Sequence, residues 1–515
     1  MNVKELLKKQ NLVVPDKAAL VYEDKEVSFS RLKEDSFKLA NYFIETGIGE
    51  SHRIAVYLAN SYEAVTSILA IFSIGATLVP LDFMLSEEEV IGFINHSEAK
   101  LLIVQGKRRI NLENIRRRCK GLKGIIAVGT ESEGCILWDE IFKKSSSCQP
   151  PVNFDDEKLA LILYTSGSFG HPKGVMLKYR HLDNPVRVLD YSLKTSTKDI
   201  FLCAGVPFSH LGGLDYILSM IWYGATIVLM QRFSPLEFLK NIEKHRVTLF
   251  WIVPSMYTAI LSLKEYGKFD LSSLRCAVVF GAPSSPYLLK KFHKLCPNAH
   301  LLNGWGMTET SAPNCVLPLD SKKIESIGRF VPWMEVKIVD EKGRRLKENE
   351  AGELWVRGEG VMVGYYKQPE LTREVLTEDG WLKTGDIAKF DEEGFFYIVG
   401  RKKDMIKVGG EAVFSPEIEE KIYTHPKVKE VAVIGVSHKL RGEVPKAFIV
   451  VKEGERLSER ELKIFLKERL AHFKIPHYFE FVNQLPKTRT GKVNKKMLKE
   501  KEHLQYQNPD KIQEI

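Results

Sequence analysis

The run Tyr164 to Val175, YTSGSFGHPKGV, concentrates three glycines, three small hydroxyl residues and one lysine in twelve positions. Gly167, Gly170 and Gly174 allow tight turns and close backbone approach to a ligand. Thr165, Ser166 and Ser168 offer hydroxyls, the freed backbone N–H groups can form an anion-binding concavity, and Lys173 adds positive charge. Such a loop suits phosphate. It is not a Walker loop, because Pro172 and Lys173 stand where that motif needs Gly-Lys-Ser/Thr.

Four further segments carry chemistry. In Asn303 to Thr310, NGWGMTET, Trp305 offers a flat face for stacking a purine and Thr308 can bond a phosphate. Glu309 is a hard oxygen ligand suited to Mg²⁺ beside phosphates. In Trp381 to Ile387, WLKTGDI, Asp386 can accept hydrogen bonds from ribose hydroxyls, and Arg401 can donate to the same sugar. Lys492 lies in LPKTRTGKVNKKML, and His210 in PFSHLGGL. Taken singly, each has a plainer reading: a turn aspartate, a solvated lysine, a satisfied histidine.

The order of these segments is what discriminates. Together they resemble the adenylate-forming superfamily of acyl-CoA synthetases, luciferases and peptide-synthetase adenylation domains, and nearest in type the stand-alone acyl-CoA ligases. The resemblance covers nearly the whole chain, from Arg53–Asn60 (RIAVYLAN) and Asp82–Val90 onward. It implies a phosphate loop at Thr165, Ser166, Gly167, Ser168, Gly170 and Lys173. It implies an adenine and magnesium segment at Asn303, Gly304, Trp305, Gly306, Thr308 and Glu309, with Gly281, Ala282 and Pro283 against the adenine. Asp386 and Arg401 would hold the ribose, and His210 would sit by the substrate carboxylate. Lys492 would stabilise charge as the adenylate forms. A rotation at Lys403 would then bring Gly409 and Gly410 in to form a thiol channel. The implied co-substrates are ATP and coenzyme A, with Mg²⁺ at Glu309.

Three positions depart from the family pattern. Phe169 stands where the phosphate loop usually has a hydroxyl residue, Phe280 precedes Gly281 where a small residue is usual, and Ser437-His438 replaces the usual acidic start of the loop before Gly442-Glu443. The segments around Trp222, Val279-Phe280 and Ala312-Pro313 are mostly apolar, which favours an apolar acyl or aryl acid. A bulky Phe280 favours a medium-length or aromatic acid over a long chain.

The elements that must position these residues are readable in outline. Leu159 to Leu163 reads as a buried strand feeding the loop. Ile68 to Leu81 (ILAIFSIGATLVPL) and Ile217 to Met230 (ILSMIWYGATIVLM) each read as apolar helix, Gly-Ala-Thr turn and strand, with Gly75 and Gly224 as helix C-caps. Two such units predict two related doubly wound α/β subdomains. From about 325 to 400, short strands marked by glycines predict a small β-rich unit. Residues 1–400 then form a large part and 401–515 a small α+β domain; the resemblance implies that the first binds AMP and the second is mobile. In the latter, Val431–Val436 reads as a strand, Glu459–Leu470 as a helix, and Ser415–Tyr423 as a helix with Ser415 as N-cap and Pro416 first in the helix.

Composition sets the remaining bounds. The chain has 515 residues, 44% apolar and 27% charged, with a net charge of +9. Residues 401–515 hold 25 Lys+Arg against 17 Asp+Glu, so +8 of that charge lies there. Such a surface could meet a small polyanion such as CoA; no nucleic-acid motif accompanies it. The seven cysteines contain no C-x-x-C pair, which argues against a disulfide framework or zinc site and fits a cytoplasmic setting. The uncharged runs from Ala64 and Tyr216 read as core helix plus strand, and no integral membrane segment is expected. A homodimer is left open. The alternatives are an adenylating enzyme that loads a carrier protein's phosphopantetheine, and a nucleotide-binding regulator with a damaged phosphate loop.

Overall fold

In the computed structural model, the described residues are 1–50, 52–105, 110–129, 133–165, 173–281, 286–488 and 492–507. Two large sheets dominate them. One has eight strands: Gly364–Tyr365, Lys173–Lys178, Leu159–Thr165, Thr77–Pro80, Arg53–Tyr57, Leu101–Gln105, Gly124–Val128 and Ile136–Leu137, in that spatial order. Its centre is parallel, and Leu159–Thr165 pairs antiparallel with Lys173–Lys178. Ala160, Leu161, Ile162 and Leu163 are fully buried. A continuous apolar run of this kind marks a strand covered on both faces.

The second sheet has nine strands, with His300–Trp305, Cys276–Val279, Leu249–Ile252, Ile200–Cys203 and Thr226–Leu229 adjacent at its centre. The chain's first strand, Ala18–Tyr22, joins this sheet beside Thr226–Leu229. The two helix–turn–strand units fall one in each sheet. Helix Tyr62–Ser73 leads to strand Thr77–Pro80, and helix Leu211–Tyr223 to strand Thr226–Leu229. Both turns use a glycine in the left-handed region, Gly75 at φ +69° and Gly224 at φ +66°. Gly224 is the capping residue itself, whereas Gly75 lies one residue beyond its cap, Ile74.

A four-stranded antiparallel sheet follows, Met334–Val339, Gly352–Gly358, Leu382–Phe390 and Phe396–Arg401. Along Leu382–Phe390 burial alternates, so Leu382, Thr384, Asp386 and Ala388 share the covered face. The pleat therefore carries a carboxylate inward. Gly364–Tyr365 leaves this unit and pairs with Lys173–Lys178.

The C-terminal sheet comprises Met405–Val408, Glu411–Phe414, Val428–His438, Gly442–Val451 and Tyr478–Phe481, with Ile418, Ile422, Leu462 and Leu466 packing its core. The expected helix Ser415–Tyr423 is present, but Phe414 is its N-cap and Ser415 its first residue. The Ser415 hydroxyl instead accepts a bond from Lys495 Nζ at 2.7 Å. A side-chain partner eighty residues away has displaced the local capping role. Helix Glu459–Lys467 stops three residues short of the expected end. All seven cysteines are free. Among the described residues no helix is long and apolar enough to cross a membrane.

Candidate active site

The inward-facing Asp386 needs partners, because burying a carboxylate unpaired is costly. It has two. Arg401 Nε stands 2.9 Å from Oδ1, delivered by the antiparallel register that sets Asp386 opposite Arg401. Trp305 Nε1 donates to Oδ2 at 2.8 Å. This adds a polar partner to the stacking face expected of Trp305. Its indole is buried, its N–H is spent on Asp386, and the Phe330 ring lies 5.5 Å from its centroid. Its indole edge supports Asp386.

Lys492 comes to the same place from the C-terminal part. A Cβ added to Gly281 would sit 3.5 Å from Lys492 Nζ. Desolvation pulls the ammonium below the ordinary lysine range, the nearby Arg401 adds to this, and Asp386 opposes it. The residue as a whole is exposed, while its charged end lies against Gly281. Thr488 N–H donates to the Lys492 carbonyl at 2.7 Å.

Glu309 lies in the 3₁₀ turn Thr308–Thr310 that follows strand His300–Trp305. It is buried, and Tyr365 donates its hydroxyl to Glu309 Oε1 at 2.9 Å. Oε2 accepts no hydrogen bond among the described residues. Lys173 Nζ sits 5.1 Å from the centroid of the same Tyr365 ring. Burial and Glu309 together push the Tyr365 phenol well up, so it stays a donor. Thr308 beside them is half-buried. Thr165 and Lys173 face each other across the strand pair that flanks the loop. Ser166, Gly167, Ser168, Phe169, Gly170, Ala282 and Pro283 lie outside the described residues.

The floor is built of small residues. Asn303 is buried, with Oδ1 accepting the Gly304 N–H at 3.0 Å. A Cβ on Gly304 would come within 2.1 Å of Phe280 Cε1, and one on Gly306 within 2.5 Å of Ala312 Cβ. Phe280 is half-buried and lies directly over Gly304. Two of the other pocket expectations, Val279 and Trp222, fail. Val279 is fully buried in a separate core with Phe250 and Phe292. Trp222 is 37% exposed at the far end of the helix from His210, beneath Lys9. A twelve-residue offset along a helix is about 18 Å, which removes Trp222 from any site at His210.

His210 is the N-cap residue of helix Leu211–Tyr223. Its Nε2 lies 3.9 Å from Asp82 Oδ2, a residue that follows a strand of the other sheet. Asn60 secures the loop before it: Nδ2 donates to the Val206 carbonyl at 2.8 Å and Oδ1 accepts the Phe208 N–H at 3.2 Å. Gly409 and Gly410 form the exposed turn between the first two strands of the C-terminal sheet, with φ of +60° and +95°. The Gly409 N–H bonds the Arg441 carbonyl at 2.8 Å. Lys403 sits in the 3₁₀ turn Lys402–Asp404 that joins the two parts.

Sequence reasoning missed Tyr365 and the pairing of Asp82 with His210. Tyr365 occupies a two-residue strand, too short to show periodicity. Its neighbour Gly364 was the available signal, since φ +150° there marks a close approach to Thr372.

The geometry gathers a buried carboxylate–arginine pair with a desolvated lysine, and a second carboxylate with a cation on one tyrosine, the two groups joined by the short segment from Trp305 to Glu309. Comparison with known proteins follows that pattern. Residues 7–366 match the family model described as AMP-binding enzyme, and residues 417–492 match the AMP-binding enzyme C-terminal domain. The chain is 32% identical over 519 residues to the putative acyl-CoA synthetase YngI of Bacillus subtilis (strain 168), covering 95% of this chain and 94% of that one. It is 32% identical over 531 residues to the mitochondrial medium-chain acyl-CoA ligase ACSF2 of Homo sapiens, covering 95% and 85%. Among solved structures it is similar to the anthranilate CoA ligase AuaEII in complex with anthranoyl-AMP, with a TM-score of 0.93, 27% identity, and 99% and 98% of the two chains covered. It is also similar to ATP-bound MatB from Rhodopseudomonas palustris, with a TM-score of 0.87, 28% identity, and 97% and 99% covered.

Proposed function

Because the chain belongs to the AMP-binding enzyme family and is an ATP-dependent, AMP-forming acyl-CoA ligase, we propose that its acid is of medium length or aromatic and apolar. The matches with CoA ligases select this activity over carrier loading and over a nucleotide-binding regulator. The medium-chain and anthranilate relatives support the acid class, as does Phe280 lying over Gly304 where a longer acid would need room.

In the first step a carboxylate oxygen of the acid attacks the α-phosphorus of ATP. The bond to pyrophosphate breaks and acyl-AMP forms. In this reading Asp386 and Arg401 hold the ribose, Gly281 lies against the base, and His210, next to Asp82, orients the acid. Lys173 and Thr308 face the phosphates. Lys492 neutralises charge on the transferring group, which is where a preorganised cation is worth most. The seating of Lys492 beside Gly281, Arg401 and Asp386 is the observation that carries this assignment.

Mg²⁺ fits at Glu309. Beside phosphates this ion takes one or two carboxylates, completed by water and phosphate oxygens, and Glu309 offers a buried hard oxygen with Oε2 uncommitted among the described residues. When bound, the ion would offset the charge of the triphosphate.

In the second step the unit 401–515 turns about Lys403. Lys492 withdraws and the turn Gly409–Gly410 enters. The CoA sulfur attacks the acyl carbonyl carbon, and AMP leaves through its phosphate oxygen. Seven free cysteines support a reducing, cytoplasmic setting for this chemistry.

The test is ATP–pyrophosphate exchange followed by CoA-dependent AMP release, over straight-chain acids of increasing length and a set of aryl acids. Highest kcat/KM is expected for medium-length or aryl acids. A preference for long chains would overturn the substrate assignment, and exchange without an acid would overturn the first step as written.

A further inference from the structure

Lys173 and Glu309 reach the cleft from different parts of the chain, yet both meet one side chain. Tyr365 is 5% exposed. Its hydroxyl donates to Glu309 Oε1 at 2.9 Å, and its ring lies 5.1 Å from Lys173 Nζ. The backbone around it is tied on three sides. The register pairs Tyr365 with Val175 and Gly364 with Met176, on the strand that begins at Lys173. Thr372 Oγ1 accepts the Tyr365 N–H at 2.9 Å. Met362 N–H donates to the Glu309 carbonyl at 2.9 Å, so the short segment 362–365 grips the turn of Glu309 by both backbone and side chain.

The neighbouring tyrosine shows that this is not generic aromatic packing. Tyr366 points to the opposite face, where its ring lies 5.6 Å from His96 and its hydroxyl meets Glu98 at 3.3 Å. Gly364 cannot be replaced without moving Thr372, because a Cβ there would sit 2.8 Å from Thr372 Cγ2. The backbone that aims Tyr365 at Glu309 is therefore set by its own close contacts.

We propose that Tyr365 is a positioning residue for the cation at Glu309. Its hydroxyl fixes one carboxylate oxygen so that the other is presented to the ion, and its ring holds Lys173 in register with that ion. The two positive charges that face the triphosphate are then set as a unit. This inference rests on the assignment of Glu309 as the Mg²⁺ ligand.

The variant is Tyr365→Phe, which keeps the ring and removes the hydroxyl; thermal unfolding checks that it is folded. Calorimetry measures ATP binding with Mg²⁺ and with EDTA, and AMP binding with EDTA, for wild type, Tyr365→Phe, Glu309→Gln and the double variant. A hydrogen bond to a charged group is worth about tenfold or more in affinity. The gain that Mg²⁺ confers on ATP binding should therefore fall roughly tenfold in Tyr365→Phe, with AMP affinity unchanged. The double variant should lose no more than Glu309→Gln alone, since the two side chains act through one bond. If Glu309→Gln keeps the full Mg²⁺ gain, the ligand assignment itself fails. If Glu309→Gln loses that gain and Tyr365→Phe keeps it, Tyr365 is not the positioning residue. Parallel loss of AMP affinity in Tyr365→Phe, or additive losses in the double variant, would show a structural role only and overturn the proposal.

Discussion

Trp305 donates its indole N–H to Asp386 across 2.8 Å, and both residues are buried. The contact joins the end of a strand in the nine-stranded sheet to the covered face of the small antiparallel sheet. It leaves Asp386 held from one side by Trp305 and from the other by Arg401. In the proposed role, a carboxylate fixed in this way would meet ribose hydroxyls without reorganising, which is where binding strength is gained.

Trp305→Phe keeps much of the ring and deletes the donor. Stability should fall by about 1–3 kcal/mol, the usual cost of leaving a buried acceptor short of a partner. AMP affinity should fall by roughly tenfold. Calorimetry with AMP and denaturant unfolding measure the two. Unchanged AMP affinity would remove Asp386 from the nucleotide site.

Lys492→Ala should abolish adenylate formation and spare thioester formation from supplied acyl-AMP. Loss of one preorganised charge predicts a fall on the order of 10²–10³-fold in the first half-reaction. Lys403→Pro should show the converse, because proline holds φ near −65° and blocks a rotation at that residue. Separate assays of pyrophosphate exchange and of CoA-dependent turnover decide this. Equal damage to both half-reactions in either variant would refute the domain rotation.

Phe280→Gly should extend the acid range toward longer or bulkier substrates, seen in kcat/KM for those acids and not in KM for ATP. A methylene in a pocket is worth about 1–3 kcal/mol in discrimination, so removing a whole ring can reorder the acids. Full burial of a phenylalanine would cost roughly 3–5 kcal/mol on truncation; Phe280 is half-buried, so a smaller loss is expected. Gly304→Ala forces a Cβ within 2.1 Å of Phe280 Cε1 and 2.8 Å of the Cys315 carbonyl oxygen, so Phe280→Gly should relieve that variant only in part. An unaltered acid profile with a large stability loss would place Phe280 in the core alone.

His181 sets an acid limit on stability. Burial, with Arg180 and Lys178 adding to it and Glu157 opposing, lowers its pKa from 6.5 to about 4. The folded state therefore resists a proton that the unfolded chain accepts. The stability from this group is complete above pH 6.5 and is lost as pH falls toward 4, by about 3 kcal/mol in all. His181 Nδ1 accepts the Lys178 N–H at 3.1 Å, and His181→Asn keeps an acceptor without the titration. Denaturant unfolding at stepped pH should show a shallower slope between pH 6.5 and 4 for the variant. An identical slope would mean other groups govern acid unfolding.

Much of the scaffold was legible locally. The apolar run Leu159–Leu163 and the two Gly-Ala-Thr turns became the strands and turns expected of them, because period and glycine placement act over a few residues. The ordered motifs also carried the family, and with it the adenylating chemistry. The N-cap role assigned to Ser415 failed, and its hydroxyl instead accepts from Lys495, eighty residues away.

By itself, then, the sequence determined which elements form and which residue types can handle phosphate, sugar and a hard cation. The tertiary structure decided which of those residues meet. Trp305 became a support for Asp386, Trp222 was carried to the far end of its helix from His210, and Glu309 acquired Tyr365. The Trp222 offset follows from twelve residues of one helix, but the other two outcomes depend on sheet order and strand register across 81 and 56 residues of chain. No local pattern encodes that separation, because the contacts exist only once the sheets have packed and the pleat has chosen its inner face.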